Sequence, residues 1–354
     1  MRSRSPAVYQ VPAREGVPLL SVRNLRIEFS SRRGTLVAID DVSFDIARGE
    51  VLGVVGESGA GKSLTGAAII GLLEPPGRIA AGEILLDGEP IHALPAERLR
   101  RLRGRRIAMI FQDPLTSLNP LYTVGQQLVE TMLTHLELSD RQARERAIEL
   151  LDEVGIPAPR QRIDHYPHQF SGGMRQRVVI ALALCAEPEL IIADEPTTAL
   201  DVSVQAQIIA LLRRLCRQHH TAVMLITHDM GVIAETADRV AVMYAGRLAE
   251  IGPVEELVRR PAHPYTRGLM GSIPVLGADV RRLVQIDGAM PRLNAVPAGC
   301  AFNPRCAEAF ERCRRERPDL MAAGATRAAC WLYDGEQAAP AGLGAAVSAS
   351  GGEA

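Results

Sequence analysis

One short glycine-rich turn constrains this fold more than any other part of the chain. It follows Val51–Val55, an apolar and largely β-branched run typical of a buried strand, and a helix is expected to begin near Leu64. Glycine lets consecutive backbone N–H groups turn toward one point, so the pattern predicts a strand, a tight turn and a helix in succession. The turn comprises Gly56, Glu57, Ser58, Gly59, Ala60, Gly61, Lys62 and Ser63.

The same turn predicts a site for a nucleoside triphosphate, because it has the spacing of a P-loop. Its N–H groups and the helix N-terminus favour phosphate oxygens, Lys62 would contact the β and γ phosphates, and Ser63 can ligate Mg²⁺. Lys62 is the single lysine in the chain, beside 39 arginines. A compact ammonium fits among phosphate oxygens where a guanidinium does not, so this exception supports the site. An ordinary glycine-rich turn is the alternative.

A pair of acidic residues follows a second buried strand. Residues 190–193 are Leu, Ile, Ile and Ala, and Asp194 and Glu195 come next. Ligands of α/β proteins bind at the carboxyl ends of parallel strands. We therefore expect Asp194 to hold Mg²⁺ through water, and Glu195 to orient and polarise the water that attacks the γ phosphate. The alternative is a solvated strand end.

The composition is that of a folded globular protein, with 354 residues of which 47% are hydrophobic and 23% charged. The net charge of -1 excludes a global attraction to nucleic acid or to an anionic membrane. The longest apolar run, 178–186, is far shorter than the ~20 residues that span a bilayer. No apolar segment follows Arg2 and Arg4, so we expect no secretory signal and a cytosolic chain.

A run of arginines at 98–106 raises the possibility of a contact with nucleic acid or lipid headgroups. It contains no interleaved aromatic residue on which a base could stack. We therefore interpret the run as the solvated end of a helix.

The sequence pattern divides the chain into parts, and the length suggests about two domains. We expect a flexible leader at 1–18, an α/β domain at 19–271, a small appendage at 272–333 and a disordered tail at 334–354. Within the α/β domain, apolar residues recur at helical spacing over 124–138 and 140–154, which predicts a helical insert at about 113–170.

A third segment carries a family resemblance. Residues 170–177 are Phe, Ser, Gly, Gly, Met, Arg, Gln and Arg, and Ser-Gly-Gly before a helix is by itself only a good helix cap. Its place between the P-loop and the acidic strand is that of the signature of ATP-binding-cassette (ABC) ATPases, which it resembles. The resemblance covers about 19–271. It implies an α/β P-loop core with a mixed, largely parallel sheet, an inserted helical subdomain and a small cysteine-containing C-terminal appendage.

The resemblance also implies roles for further residues. Gln112 matches the Q-loop glutamine, a ligand of Mg²⁺ and a catalytic residue, and His228 matches the switch histidine at the γ phosphate, with a capping or buried histidine as the alternative. Phe29 is the expected aromatic against adenine, with a core residue as the alternative. Two cassettes would clamp two ATP molecules, each P-loop facing the partner's signature. The residues expected to serve that shared site are Ser171, Gly172, Gly173 and, in the D-loop of 198–201, Asp201.

Four segments are similar in sequence to ATPase subunits of oligopeptide and dipeptide importers, with nickel importers as close relatives. The segments are 111–120, 170–177, 263–266 and 296–306. This implies hydrolysis of ATP with Mg²⁺, a second ATPase subunit, two membrane permeases and, indirectly, an extracytoplasmic solute-binding protein, with no nucleic acid. The chain would lie peripherally on the cytoplasmic face of the inner membrane. The alternatives are an importer of nickel or another small solute, a soluble cassette ATPase acting on DNA or the ribosome, and an iron–sulfur electron carrier.

Four of the six cysteines cluster near the C-terminus, without a paired Cys-x₂-Cys knuckle. Some members of the resembled family carry a [4Fe–4S] cluster at such a segment, so the resemblance implies one, while Zn²⁺ or free thiols are the alternatives. We expect its role to be structural and the ATPase motifs to work in part without it. Cys185 and Cys216 are expected to be packing residues. The candidate ligands are Cys300, Cys306, Cys313 and Cys330.

Overall fold

The computed structural model describes residues 16–32, 34–198, 200–272 and 286–335. Residues 1–15 of the expected leader, Ala199 of the D-loop and residues 336–354 of the expected tail lie outside the described residues. The strands of the described part are β1 (Leu20–Ser31), β2 (Gly34–Ile46), β3 (Val51–Val55), β4 (Gly77–Leu86), β5 (Glu89–Pro90), β6 (Ile107–Ile110), β7 (Leu190–Asp194), β8 (Ala222–Ile226), β9 (Arg239–Tyr244), β10 (Arg247–Pro253), β11 (Met321–Ala323) and β12 (Thr326–Ala328).

The helices of the described part alternate with the strands and are concentrated between β6 and β7. They are α1 (Lys62–Ile69), α2 (Ala96–Leu102), α3 (Pro114–Ser117), α4 (Val124–His135), α5 (Asp140–Glu153), α6 (Pro159–Arg162), α7 (Gly172–Leu184), α8 (Val202–His219), α9 (Met230–Thr236), α10 (Val254–Arg259), α11 (Pro264–Gly271) and α12 (Glu311–Arg315). Short 3₁₀ helices cover Pro167–Gln169, Asn303–Arg305 and Trp331–Tyr333.

The strands form two sheets, and the larger one sets the position of the site. Its order is β11-β12-β10-β9-β3-β8-β7-β6, and the neighbours from β9 to β6 all run parallel. The smaller sheet, of order β2-β1-β4-β5, is antiparallel. The carboxyl ends of β3, β6, β7 and β8 therefore meet at one edge. The expected α/β fold with a mixed, largely parallel sheet is confirmed.

The central strands are apolar on both sides because both faces of the larger sheet are covered. In β7, Ile191 packs into a core that includes residues of α4, α5, α7 and α8. Its neighbour Ile192 packs into a second core, with α1 and the smaller sheet. This explains why 190–193 is continuously apolar instead of alternating with polar residues.

The two predicted helices of the insert are confirmed as α4 and α5, with slightly earlier C-terminal ends. Thr123 and Ser139 begin them with capping boxes, in which each side chain accepts from the backbone N–H three residues on. None of the helices in the described ranges is both long and apolar enough to cross a membrane.

The C-terminal segment is joined to the main sheet more closely than the word appendage implies. Strand β12 pairs with β10, with Glu250 opposite Ala328, and β11 continues the edge. The buried Glu250 carboxylate accepts from the N–H groups of Ala262 and His263, both at 2.9 Å, and from Thr326 Oγ1 at 3.0 Å. Strands of three residues are too short to show a period, which is why the sequence pattern did not predict them.

The arginine run of 98–106 is only partly the solvated helix end that we expected. Its first half lies on the exposed face of α2 and pairs with Glu89 and Glu97. Its second half is structural, because those side chains hold carbonyl oxygens and a carboxylate of neighbouring elements. The bonds run from Arg103 to the carbonyls of Ile70 and Gly71, from Arg105 to that of Ala186, and from Arg106 to the carboxylate of Glu189.

Candidate nucleotide-binding site

The predicted P-loop leaves β3 and enters α1 without an intervening residue. Gly56 has φ +151°, and a Cβ there would lie 2.3 Å from the carbonyl oxygen of Met243. Gly61 has φ +102°, and its Cβ would lie 2.3 Å from Ile39 Cδ1. The positive φ and the short Cβ distance exclude larger residues at both positions, so the turn passes close to its neighbours. The turn opens toward the carboxyl edge of the sheet.

Lys62 is folded back over this turn. Its Nζ donates to the carbonyl oxygens of Gly56, at 2.8 Å, and Glu57, at 3.1 Å, and the residue is buried. Burial lowers the pKa of this amine, against the opposing charges of Glu195, Asp194 and Glu57. Within the described residues this ammonium is held by backbone oxygens alone, and it can exchange those partners for oxygens of a phosphate.

Ser63 and Asp194 come together from positions far apart in the chain. Ser63 Oγ donates to Asp194 Oδ1 at 2.8 Å. Burial raises the pKa of Asp194, and the nearby charge of Glu195 adds to this, while Ser63 and Lys62 act against it. A hydroxyl and a carboxylate at the end of a P-loop are oxygen ligands of the kind that Mg²⁺ prefers.

Glu195 is the centre of a polar cluster at the end of β7. Its carboxylate contacts Gln112 Nε2 at 3.3 Å, Thr198 Oγ1 at 2.8 Å and His228 Nδ1 at 3.4 Å. Burial opposes its ionisation, but the hydrogen bonds from Thr198 and His228 outweigh that effect and lower its pKa. Glu195 is thus an ionised acceptor at neutral pH, surrounded by one donor from its own turn and by donors from two other segments. Gln112 comes just after β6 and His228 just after β8, the two strands that lie on either side of β7 in the sheet.

The segment of Ser171, Gly172 and Gly173 lies apart from this cluster. Ser171 is the exposed N-cap of α7 and accepts from the N–H of Met174 at 3.4 Å. Gly173 approaches α8, since a Cβ there would lie 2.9 Å from Val204, and Gly172 lies near Leu200, which precedes that helix. In the described part of the chain, Ser171 forms no hydrogen bond to the P-loop. Asp201, the N-cap of α8, is exposed as well.

Phe29 is placed near the C-terminal end of β1, opposite Leu36 and Gly77. Its ring is partly buried and lies against the backbone of β4, because a Cβ on Gly77 would be 2.9 Å from Phe29 Cε1. The ring edge is thus packed on one side, which is compatible with both of the roles considered for it.

The four clustered cysteines line one small cavity, together with His263 and Phe302 among others. Burial raises the pKa of Cys300 to about 11 and of Cys330 to about 12, and also raises that of Cys306. Within the ranges that the structure describes, no group of three or more His, Cys, Asp or Glu side chains has the arrangement of a metal site. Cys185 and Cys216 are buried in the core away from this cavity, as predicted.

Sequence reasoning missed two residues that touch the P-loop. The hydroxyl of Tyr265 accepts from the N–H of Glu57 at 3.0 Å, and Arg305 donates to the Glu57 carboxylate at 2.9 Å. They lie 208 and 248 residues further along the chain, and no spacing pattern relates them to Glu57. Both fall within segments that carry the family resemblance, which was the available signal.

Comparisons with known proteins agree with this geometry. The family description "ABC transporter" matches residues 39–198, and "Oligopeptide/dipeptide transporter, C-terminal region" matches residues 249–313. A solved dimeric structure of the ATP-binding cassette MJ0796, in a post-hydrolysis state with ADP and Pi, superposes with a TM-score of 0.60 at 28% identity. The match covers 66% of this chain and 98% of that one.

Curated relatives match over most of their length. The dipeptide transport ATP-binding protein DppD of Bacillus subtilis is 48% identical, over 89% of this chain and 95% of that protein. The oligopeptide transport ATP-binding protein AppD of the same organism is 44% identical, over 90% and 98%. DppD of Escherichia coli is 47% identical, over 85% and 92%. The resemblance is confirmed: the chain belongs to the ABC transporter ATPases, in the group of oligopeptide/dipeptide transport ATP-binding proteins.

Proposed function

We propose that this chain binds and hydrolyses ATP to power the import of peptides. The observation that carries the proposal is the convergence of four separated segments at one sheet edge. The P-loop contacts Asp194 through Ser63, and the next residue, Glu195, is contacted by Gln112, by Thr198 of its own turn and by His228. We take 19–271 as the cassette, with its helical subdomain at about 113–170, and 272–333 as the C-terminal segment.

Each residue of the site has a proposed task. Lys62 and the N–H groups of 56–64 hold the phosphates, and Ser63, Gln112 and Asp194 hold Mg²⁺, which when bound would offset the charge of the β and γ phosphates. Glu195 accepts a proton from the attacking water and orients it. His228 stabilises the γ phosphate, and Phe29 stacks against adenine.

We propose that the exposed segment of Ser171, Gly172 and Gly173, with Asp201, completes the ATP site of a second ATPase subunit. The support is that Ser171, Gly172 and Asp201 are exposed, and that within the described residues Ser171 forms no hydrogen bond to its own P-loop. Ser171→Arg should leave ATP binding by the monomer almost unchanged and abolish ATP-dependent dimerisation, measured by light scattering in a Glu195→Gln background. Ser139→Arg is the matched control, because Ser139 is also an exposed helix N-cap. Undiminished dimerisation of Ser171→Arg would remove the shared site.

The substrate is proposed from the relatives, whose names specify dipeptide and oligopeptide transport. The partners would be two membrane permeases and, indirectly, a solute-binding protein, with the chain on the cytoplasmic face of the inner membrane. The test is uptake of a labelled dipeptide, a labelled oligopeptide and nickel by cells lacking this gene. Loss of peptide uptake, restored by the wild-type gene, supports the proposal. Loss of nickel uptake alone would favour the nickel alternative, and no loss of any uptake would contradict an importer.

We propose further that the four-cysteine cavity holds a [4Fe–4S] cluster. The support is the convergence of four thiols on one cavity and their number and chemistry, although their sulfurs are not arranged as a metal site. Anaerobically purified protein should contain iron and sulfide, and Cys306→Ser should remove them. Cys216→Ser, in α8, is the control. Stoichiometric zinc without iron would contradict the cluster and leave the ATPase proposal intact.

A further inference from the structure

The C-terminal segment does more than extend the sheet, because it reaches the P-loop. Arg305 lies in the 3₁₀ turn Asn303–Arg305, and its side chain is only 7% exposed. Its Nη1 donates to both carboxylate oxygens of Glu57, at 2.9 and 3.1 Å. Met290 of the same segment lies over Gly59, where a Cβ would be 3.0 Å from the Met290 methyl group.

Arg305 is held in a fixed position by its other contacts. Nε donates to the carbonyl of Asp287 at 2.8 Å, Nη2 to that of Ile286 at 3.3 Å, and Nη1 also to the Tyr244 hydroxyl at 3.3 Å. The guanidinium lies 5.8 Å from the centroid of the Tyr244 ring. All three nitrogens therefore have partners, so the fork is oriented before a nucleotide arrives.

Glu57 needs this partner because of where it stands. It is the second residue of the phosphate-binding turn, and its own carbonyl oxygen accepts from Lys62. A carboxylate at this position repels a triphosphate unless a cation neutralises it. Arg305 supplies that cation and turns the carboxylate onto the C-terminal segment.

We propose that Arg305 is a positioning residue for ATP, which neutralises Glu57 and makes nucleotide affinity depend on the C-terminal segment. This rests on the proposed function, since it concerns the same phosphate site. The effect of Arg305 on ATP affinity is electrostatic. Without Arg305 an unpaired carboxylate lies beside the phosphates, and without both residues neither charge remains. Loss of Glu57 should therefore compensate for loss of Arg305.

The test is the affinity of the full chain for a fluorescent ATP analogue with Mg²⁺. Arg305→Met should raise Kd about tenfold, and KM for ATP with it, while kcat at saturating ATP changes by less than about twofold. Glu57→Gln combined with Arg305→Met should restore Kd to within about threefold of wild type. Arg305→Lys should give an intermediate Kd, because charge is kept but the fork is lost. Arg312→Met is the control, since Arg312 pairs with Glu316, Asp334 and the Trp331 ring inside its own segment.

A purely structural role predicts the opposite pattern. In that case the double variant would bind ATP no better than Arg305→Met, and this result would overturn the proposal. If Arg305→Met does not fold, Arg305→Gln provides the same comparison, because it keeps hydrogen-bond donors and loses the charge. Wild-type protein that binds no ATP would refute the proposed function, whereas equal Kd values for Arg305→Met and Arg312→Met would refute only this inference.

Discussion

The P-loop and residues 286–333 of the C-terminal segment are held in place by different kinds of interaction. The P-loop takes its shape from neighbours in sequence: glycines with positive φ, and Lys62 bonded to carbonyls five and six residues before it. The C-terminal segment takes its place from distant partners, through Arg305 on Glu57 and Thr326 on Glu250. The conformation of the P-loop is thus set largely by residues next to it in sequence, whereas the position of the C-terminal segment depends on residues far from it in sequence.

This difference has a consequence for function. A loop built from local geometry can bind phosphate by itself, but its net charge is set by whatever packs beside it. In this protein the neighbour is the cysteine-bearing segment, since Arg305 directly precedes Cys306. We expected a structural role for that segment, and its contact with the Glu57 carboxylate places it directly beside the P-loop.

The largest effect is expected in the ATP site beside the P-loop, at Glu195. Glu195→Gln keeps the shape of the side chain and removes its charge, so turnover should fall by about 10² or more while ATP still binds. Phosphate release and nucleotide binding measure the two quantities. Glu149→Gln, at an exposed position of α5, is the control. Turnover near that of the control would exclude Glu195 as the base.

The next largest effect is expected at Glu250, whose carboxylate holds the C-terminal segment through Thr326. The Glu250 carboxylate has two acceptor oxygens, whereas the side-chain amide of glutamine has one. In Glu250→Gln the amide N–H₂ would therefore face a hydrogen-bond donor that is now bonded to a carboxylate oxygen. The free energy of unfolding should fall by about 1–3 kcal/mol, measured with denaturant. Glu255→Gln, exposed on α10, should leave it almost unchanged. Equal stability of the two variants would mean that Glu250 does not anchor the segment.

These two regions also explain what the sequence could and could not predict. Strands β3 and β7, the P-loop and Glu195 were predictable, because each is marked by residue type and spacing within about ten positions. The insert helices were predictable for the same reason, through their apolar period. The contacts of Tyr265 and Arg305 with Glu57 were not, because they join residues 208 and 248 positions apart that only the completed fold brings together. The tasks assigned to the site residues remain predictions.

The smallest effect is expected at Phe29. If its ring stacks on adenine, Phe29→Leu should weaken ATP binding by about 1 kcal/mol, or about fivefold. Tripolyphosphate provides the control, because it has no base and should bind both proteins equally well. Equal losses for ATP and tripolyphosphate would mean that Phe29 acts only through the packing of β1 on β4.

The central claim is that Lys62 binds the phosphates of ATP. Because Lys62 is the single lysine, this contact can be measured directly. Protein grown on lysine labelled with carbon-13 at Cε should give one side-chain NMR signal, with a pKa below that of free lysine because of burial. MgATP should shift the signal and raise its pKa, since phosphate charge favours the ammonium; affinity should then weaken as pH rises through the pKa of the free protein. A signal whose shift and pKa are unchanged by saturating MgATP would contradict the account.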